Sequence, residues 1–160
     1  MLKKIIAGTI ISAMTLFALP SNEFELTLLS KAAQKKAIVL SNMGLKGEVK
    51  QNFSKLYDEY QQKLMKHRIK ELQLIANYAV SYNKLTNKNS DKLIVEWVTT
   101  EEAEIVLKKD YIAKFKKIMP SADVIRYFQI ENRLQLLREV QTSAQIPLAV
   151  PAAVQLDGSK

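Results

Sequence analysis

Between Lys46 and Leu85 large apolar residues recur at steps of three and four: Val49, Phe53, Leu56, Tyr57, Tyr60, Leu64, Leu74, Ile75, Tyr78, Tyr82 and Leu85. On a helical projection they share one face, and Lys50, Lys55, Lys63, Lys66 and Lys70 lie opposite, which is the pattern of an amphipathic helix. No Pro interrupts the stretch and no Gly follows Gly47. A helix of this extent is about 60 Å long at ~1.5 Å per residue, a length met in hairpins, bundles and coiled coils. Thr86-Asn-Lys-Asn-Ser-Asp91 is expected to end it, because short polar side chains compete for backbone groups. Ser90 or Asp91 is placed to cap the next helix.

A second long helix is predicted from about Lys92 to Met119, stopped by Pro120, with Leu93, Trp97, Leu107, Tyr111, Phe115 and Ile118 on one face. The β-branched run Ile94–Thr100 is the one strand-like stretch. Thr99-x-x-Glu102 matches a capping box, so a joint or kink is expected there. Ser121 is expected to cap a third long helix, Ala122 to about Ser143, with Asp123 favourably placed in its first turn. Its apolar residues fall on two arcs, Tyr127, Ile130, Leu134 and Leu137 on one, Ile125, Leu136 and Val140 on the other. That predicts a helix sandwiched between two neighbours, one of which is a candidate second copy of the chain. Upstream, Phe24 to Met43 reads as a further helix carrying Leu26, Leu29, Ala33, Ala37 and Leu40. From Ile146-Pro-Leu-Ala-Val-Pro151 onward the two prolines forbid a helix, so residues 146–160 are expected to be extended or disordered. The expected fold class is all-α: an elongated antiparallel helical hairpin or bundle of about four helices spanning 22–145, with no internal repeat, low-complexity tract or domain boundary visible.

The first residues change the reading of compartment. Lys3 and Lys4 precede an uncharged, mostly apolar run of 15 residues, Ile5 to Leu19, which Pro20-Ser-Asn22 breaks. This is the layout of a secretory signal peptide, residues 1–21, and it is shorter than the ~20 residues a membrane-spanning helix needs. Cleavage is expected after Ala18 or Ser21. Without the two lysines the net charge falls from +8 to +6. In a cytosolic chain such a balance would point to nucleic acid. Outside the cytoplasm the available polyanions are anionic lipid headgroups and glycans, so those, and not nucleic acid, are the expected charged partners. The bland alternative is that the charge keeps a small exported domain soluble. The absence of Cys excludes disulfide scaffolds, thiolate metal sites and cysteine nucleophiles.

No nucleophile–base pair, Gly-rich phosphate loop or metal motif is visible, so no catalytic, cofactor-binding or metal residue is assigned, and no cofactor or enzymatic activity is expected. The most informative irregularity is His67 with Glu71, four residues apart on the apolar stripe. If the two long helices fold back about residues 86–90, paired residue numbers add to about 176 and Glu71 lies near Glu104. Three readings stay open: a structural polar cluster neutralised by Lys108, a pH switch in which the carboxylates act on His67, and a Glu/Glu/His metal site. The aromatic stripe of Tyr57, Tyr60, Tyr78 and Tyr82 with Trp97, Tyr111 and Phe115 is either the edge of a core or a Lys-rimmed surface for unfolded or partner proteins. In the third helix Gln129, Asn132 and Arg133 are candidate partner-binding residues, the alternative being hydrogen bonding of the two amides to a neighbouring helix.

Arg126-Tyr-Phe-Gln-Ile-Glu-Asn-Arg-Leu134, followed by Ala144-Gln-Ile-Pro-Leu148, resembles the C-terminal signature of a group of small exported bacterial helical proteins. With Tyr111-x-x-Lys114-Phe115 and Met119-Pro120 just upstream, the resemblance covers roughly residues 90–148. It implies a Gram-negative periplasmic helical protein and carries no biochemical role. The export signal, basic helices and hairpin are also similar in architecture to the Spy and CpxP periplasmic stress proteins, which act as ATP-independent chaperones or as inhibitors of a sensor kinase through a basic cradle-shaped dimer. The Leu-Thr-x-x-Gln repeats of that family are absent; Leu85-Thr86-Asn-Lys-Asn89 is the nearest approach. The resemblance implies a periplasmic interaction protein of chaperone or stress-adaptor type, binding protein clients or an envelope partner, with a homodimer as the candidate assembly. The alternative is an envelope-associated structural protein that binds anionic lipid or glycan.

Overall fold

The computed structural model of the chain describes residues 21–150. Residues 1–20 of the expected signal peptide and the tail from Pro151 onward lie outside the described residues. Four helices succeed one another along the chain: α1 (Ser21–Met43), α2 (Gly47–Ser81), α3 (Asn87–Phe115) and α4 (Ser121–Ser143). The fold class is all-α, and no strand occurs among the described residues. None of these helices is long and apolar enough to cross a membrane.

The helix boundaries are set by local chemistry, with three corrections. Gly44 and Gly47 adopt φ of 63° and 57°, left-handed values that glycine reaches without a Cβ clash, and they turn the chain between α1 and α2. The residue that starts α3 is Thr86, not Ser90 or Asp91. Its hydroxyl accepts from the Asn89 amide at 3.3 Å and its carbonyl from the Ser90 amide at 2.9 Å. The β-branched run does not break α3, because the Thr100 hydroxyl donates back to the Glu96 carbonyl at 2.7 Å and is satisfied within the helix. At the far end the Ile118 and Met119 amides both donate to the Phe115 carbonyl, closing a last turn before Pro120. Pro120, at φ −58° and ψ 150°, is itself the N-cap of α4, with no side-chain cap, so Ser121 is the first helical residue rather than the cap. Proline is already held near the required φ, and its missing N–H costs nothing at a helix start.

The described residues form two compact units, one from 21–54 and 115–145, the other from 55–114 and 146–150. The first division falls between Ser54 and Lys55, inside α2, so no Pro, Gly or linker composition marks it.

In the first unit α1 packs against α4. The two run antiparallel: Lys35 reaches Glu131 at 2.7 Å, and Arg126 donates from Nε to the Asn42 carbonyl at 2.9 Å. Val39, Met43, Phe53, Phe115, Met119, Val124, Tyr127 and Phe128 are buried. Tyr127 meets Phe53 edge-on at 5.1 Å between centroids and lies 4.8 Å from both Phe115 and Phe128. Edge and tilted contacts of this kind suit the ring quadrupoles. The buried face of α1 is rotated from the expected one: Val39 and Met43 point inward, whereas Leu26 and Leu29 stay exposed, as do Ala33 and Ala37.

In the second unit the rest of α2 and α3 form the expected antiparallel hairpin. Tyr57, Tyr60, Leu64 and Tyr111 are its buried residues. Tyr60 packs on Tyr111 at 4.9 Å and Arg68 reaches Glu104, pairs whose numbers add to 171 and 172. The register is therefore about one helical turn away from the expected 176. The segment after α4 is extended, as the prolines require, and it is docked on the C-terminal end of α2. Tyr78 Oη donates to the Pro147 carbonyl at 2.7 Å, and the Val150 amide to the Tyr82 carbonyl at 3.3 Å.

Candidate functional site

The hairpin divides the aromatic stripe. Tyr57 and Tyr60 are each only 2 % exposed, so they belong to the core of the second unit and not to a binding surface. They lie where α2 and α3 pack, and that packing removes the middle of the stripe from solvent. Tyr78 and Tyr82, nearer the turn, are half-buried, with ring centroids 6.3 Å apart and the planes tilted. Trp97, expected on the packed face of α3, is 56 % exposed. Gln129, Asn132 and Arg133 are exposed and make no hydrogen bond or ion pair among the described residues. The second arc of α4 is likewise open, with Ile125, Leu136 and Val140 at 60 % exposure or more. Within its unit, α4 packs on one side and presents the other.

Glu71 and Glu104 do come together, but the group between them is Arg68. One guanidinium nitrogen lies 2.9 Å from Glu71 and the other donates to Glu104 at 3.0 Å. Arg68 thus takes the role expected of Lys108. Its planar fork bonds one carboxylate on its own helix and one on the facing helix at once. His67 is half-buried beside this cluster and makes no hydrogen bond or ion pair among the described residues. No group of three or more His, Asp or Glu among the described residues is placed to hold a metal ion. The signal for Arg68 was present in the sequence: Arg68-x-x-Glu71 is an (i, i+3) pair, and a guanidinium at the stripe's border is long enough to cross the helix interface.

A second polar cluster, not foreseen, lies at Glu59. Tyr111 Oη donates to the Glu59 carboxylate at 2.5 Å, with Lys114 Nζ at 3.1 Å and Lys63 Nζ at 3.5 Å. The Lys63 and Lys114 ammonium groups also lie over the Tyr111 ring, at 5.4 Å and 4.4 Å from its centroid. The Tyr111 hydroxyl bond, and after it the Lys114 ammonium, hold the Glu59 carboxyl at about 2 against an ordinary 4.5. Burial, and then the Glu59 carboxylate, push the Tyr111 phenol up. Because the folded value for Glu59 lies below the unfolded one, its stabilisation is complete above about pH 4.5 and is lost as pH falls toward 2. A Glu59→Gln variant is expected to be less stable than the parent at pH 7 and to show a shallower loss between pH 4.5 and 2 in thermal unfolding followed by circular dichroism. Parallel acid curves for the two proteins would remove Glu59 from the acid response.

Exposed apolar residues also gather on α3. α3 packs Leu93, Leu107, Tyr111 and Phe115 inward or at the edge, but a second face carries Ile94, Val95, Val98, Ile105 and Val106, with Trp97 at the border. All six are between 43 % and 63 % exposed. Lys88, Lys92 and Lys109 are exposed on the same helix, as are Asp91, Glu96, Glu101, Glu102 and Asp110, and Glu101 and Glu102 stand between the apolar groups 94–98 and 105–106.

No protein family, curated protein or solved structure matches this chain.

The reading of the site therefore rests on its own chemistry. The ion pairs Arg68–Glu104, Lys114–Glu59 and Lys35–Glu131 tie one helix to another and so serve the packing. What the structure offers a partner is exposed apolar area on helices among charges of both signs, which suits binding by burial with a charged rim.

Proposed function

We propose that the chain is an exported, periplasmic interaction protein of chaperone or stress-adaptor type, which holds apolar segments of other proteins on the outer face of α3. The observation that carries this reading is the second apolar face of that helix, with Ile94, Val95, Trp97, Val98, Ile105 and Val106 in solvent. Scattered exposed hydrophobics are ordinary, but six on the free side of one helix, in two groups at 94–98 and 105–106, are more than packing requires and are the mark of an interaction site. The signal-like residues 1–21 support export, and the basic balance gives the surface a charged rim. The face replaces the Tyr57–Tyr82 stripe as the client surface, with Trp97 the stripe residue that is exposed.

The test is suppression of aggregation of a chemically unfolded model protein at low and moderate salt. The purified chain is expected to suppress it at equimolar ratio in both conditions, because apolar burial is little screened by ions. A Val98→Ser/Ile105→Ser variant of unchanged helicity is expected to lose most of the effect. Suppression that vanishes in moderate salt would support the electrostatic alternative of anionic lipid or glycan binding. Equal activity of the variant would remove α3 from the proposal.

A further inference from the structure

The segment Ile146–Val150, which follows α4, is held against the end of α2. Two hydrogen bonds use its main-chain atoms: Tyr78 Oη donates to the Pro147 carbonyl at 2.7 Å, and the Val150 amide donates to the carbonyl of Tyr82, one residue beyond the end of α2. The carbonyl at a helix C-terminus has no partner in its own helix and is free to accept. The two contact points are three residues apart, the repeat of a polyproline II strand, and Pro147 favours that conformation. Ile146, Pro147 and Val150 are half-buried, while Leu148 between them is 91 % exposed. The rings of Tyr78, in the last turn of α2, and Tyr82, just past its end, are tilted at 46° with centroids 6.3 Å apart. Burial, and then Tyr82, push the Tyr78 phenol up, which keeps it a donor. Aromatic-lined surfaces are a general means of recognising proline-containing extended segments.

We infer that the Tyr78–Tyr82 end of the second unit is a peptide-binding site whose resident occupant is the chain's own Ile146–Val150, and that it takes extended, proline-containing apolar segments of client proteins when that tail is released. The carbonyl and amide contacts are common to every sequence and the half-buried Ile146 and Val150 ask only for apolar side chains, so the tail is one member of a class of extended apolar ligands. Tethering gives the tail an effective concentration on the order of millimolar, which makes it a competitor that a client must displace. The inference rests on the reading of the chain as a protein-binding protein, but it concerns a site on α2 with its own readout.

The probe is a fluorescein-labelled peptide with the sequence of residues 143–151, titrated by anisotropy into the full chain and into full-length Ile146→Ser/Val150→Ser, whose tail is weakened. The double variant is expected to bind at least ~10-fold more tightly than the parent, since the resident competitor is lost. Adding Tyr78→Phe is expected to return the affinity to the parental level. Trp97→Ser is expected to leave peptide binding unchanged even where it abolishes suppression of aggregation, so failure of one site is distinguishable from failure of the other. A second measurement needs no variant: the Val150 amide of the parent chain is expected to lose protection from hydrogen exchange when peptide is added in excess. Equal peptide affinity of parent and double variant, indifference to Tyr78→Phe, or a Val150 amide that stays protected at saturating peptide would each overturn the inference. A parent dimer that becomes monomeric in Ile146→Ser/Val150→Ser would assign the site to exchange of tails between copies and overturn the client reading.

Discussion

Phe115→Ala is expected to lower the unfolding free energy by about 4 kcal/mol, the range found when a large buried ring is deleted from a core. Phe115 is fully buried and touches three other rings, Phe53 at 5.5 Å, Tyr127 at 4.8 Å and Phe128 at 6.1 Å. These residues come from α2, α3 and α4, so the cavity would open where three chain segments meet, and no single side chain can collapse into it. Phe128→Ala is expected to cost visibly less, because Phe128 sits at the margin with 8 % of its surface exposed and lines only part of the cluster. Small domains hold only about 5–15 kcal/mol in all, so the first variant is expected to be close to unfolding at physiological temperature. Urea unfolding followed by far-ultraviolet circular dichroism measures both. Equal midpoints for Phe115→Ala and Phe128→Ala would show that the ring cluster is not the centre of this unit.

The second large effect is expected at the Lys35–Glu131 pair. The Glu131 side chain is 7 % exposed and accepts from Lys35 at 2.7 Å, whereas Lys35 itself is 30 % exposed. Lys35→Met takes away the cation and leaves a carboxylate in a poorly solvated place, at an expected cost of about 3 kcal/mol. Glu131→Leu is expected to cost less, because it removes the buried charge and leaves an ammonium that water can still reach. The double replacement is expected to be milder than Lys35→Met alone, giving a favourable coupling in a double-mutant cycle. Equal losses for the two single variants would mean that the pair behaves as an exposed one, worth about 0–1 kcal/mol.

Part of the site was legible and part was not, for reasons that particular residues make plain. Glu71 and Glu104 stand out in the sequence because acids interrupt an apolar stripe, and the structure does bring them together through Arg68. His67 stands out for the same reason, yet it stays outside the cluster. A projection gives the angle of a side chain about its helix and says nothing of which polar neighbour is long enough to cross to the next one. Glu59 was invisible because it belongs to the charged side of the pattern. Its importance comes from Tyr111 and Lys114, more than 50 positions away. Tyr57 and Tyr78 look equivalent on a projection, but one is core and the other carries the tail.

The sequence by itself determined that this chain is helical and, to about one turn, where its helices break. Those features depend on contacts within one turn: the three- and four-residue spacing of apolar groups, the left-handed Gly44 and Gly47, and the proline at 120. Only the tertiary structure decided the register of α2 on α3, the rotation of α1 on α4, and hence which apolar face is core and which is left open. Sliding one amphipathic helix by a turn along another keeps apolar residues against apolar residues, so the two registers look alike in the hydrophobic pattern. They differ in the fit of rings such as Tyr60 on Tyr111 and in the reach of Arg68, and these come from both helices at once.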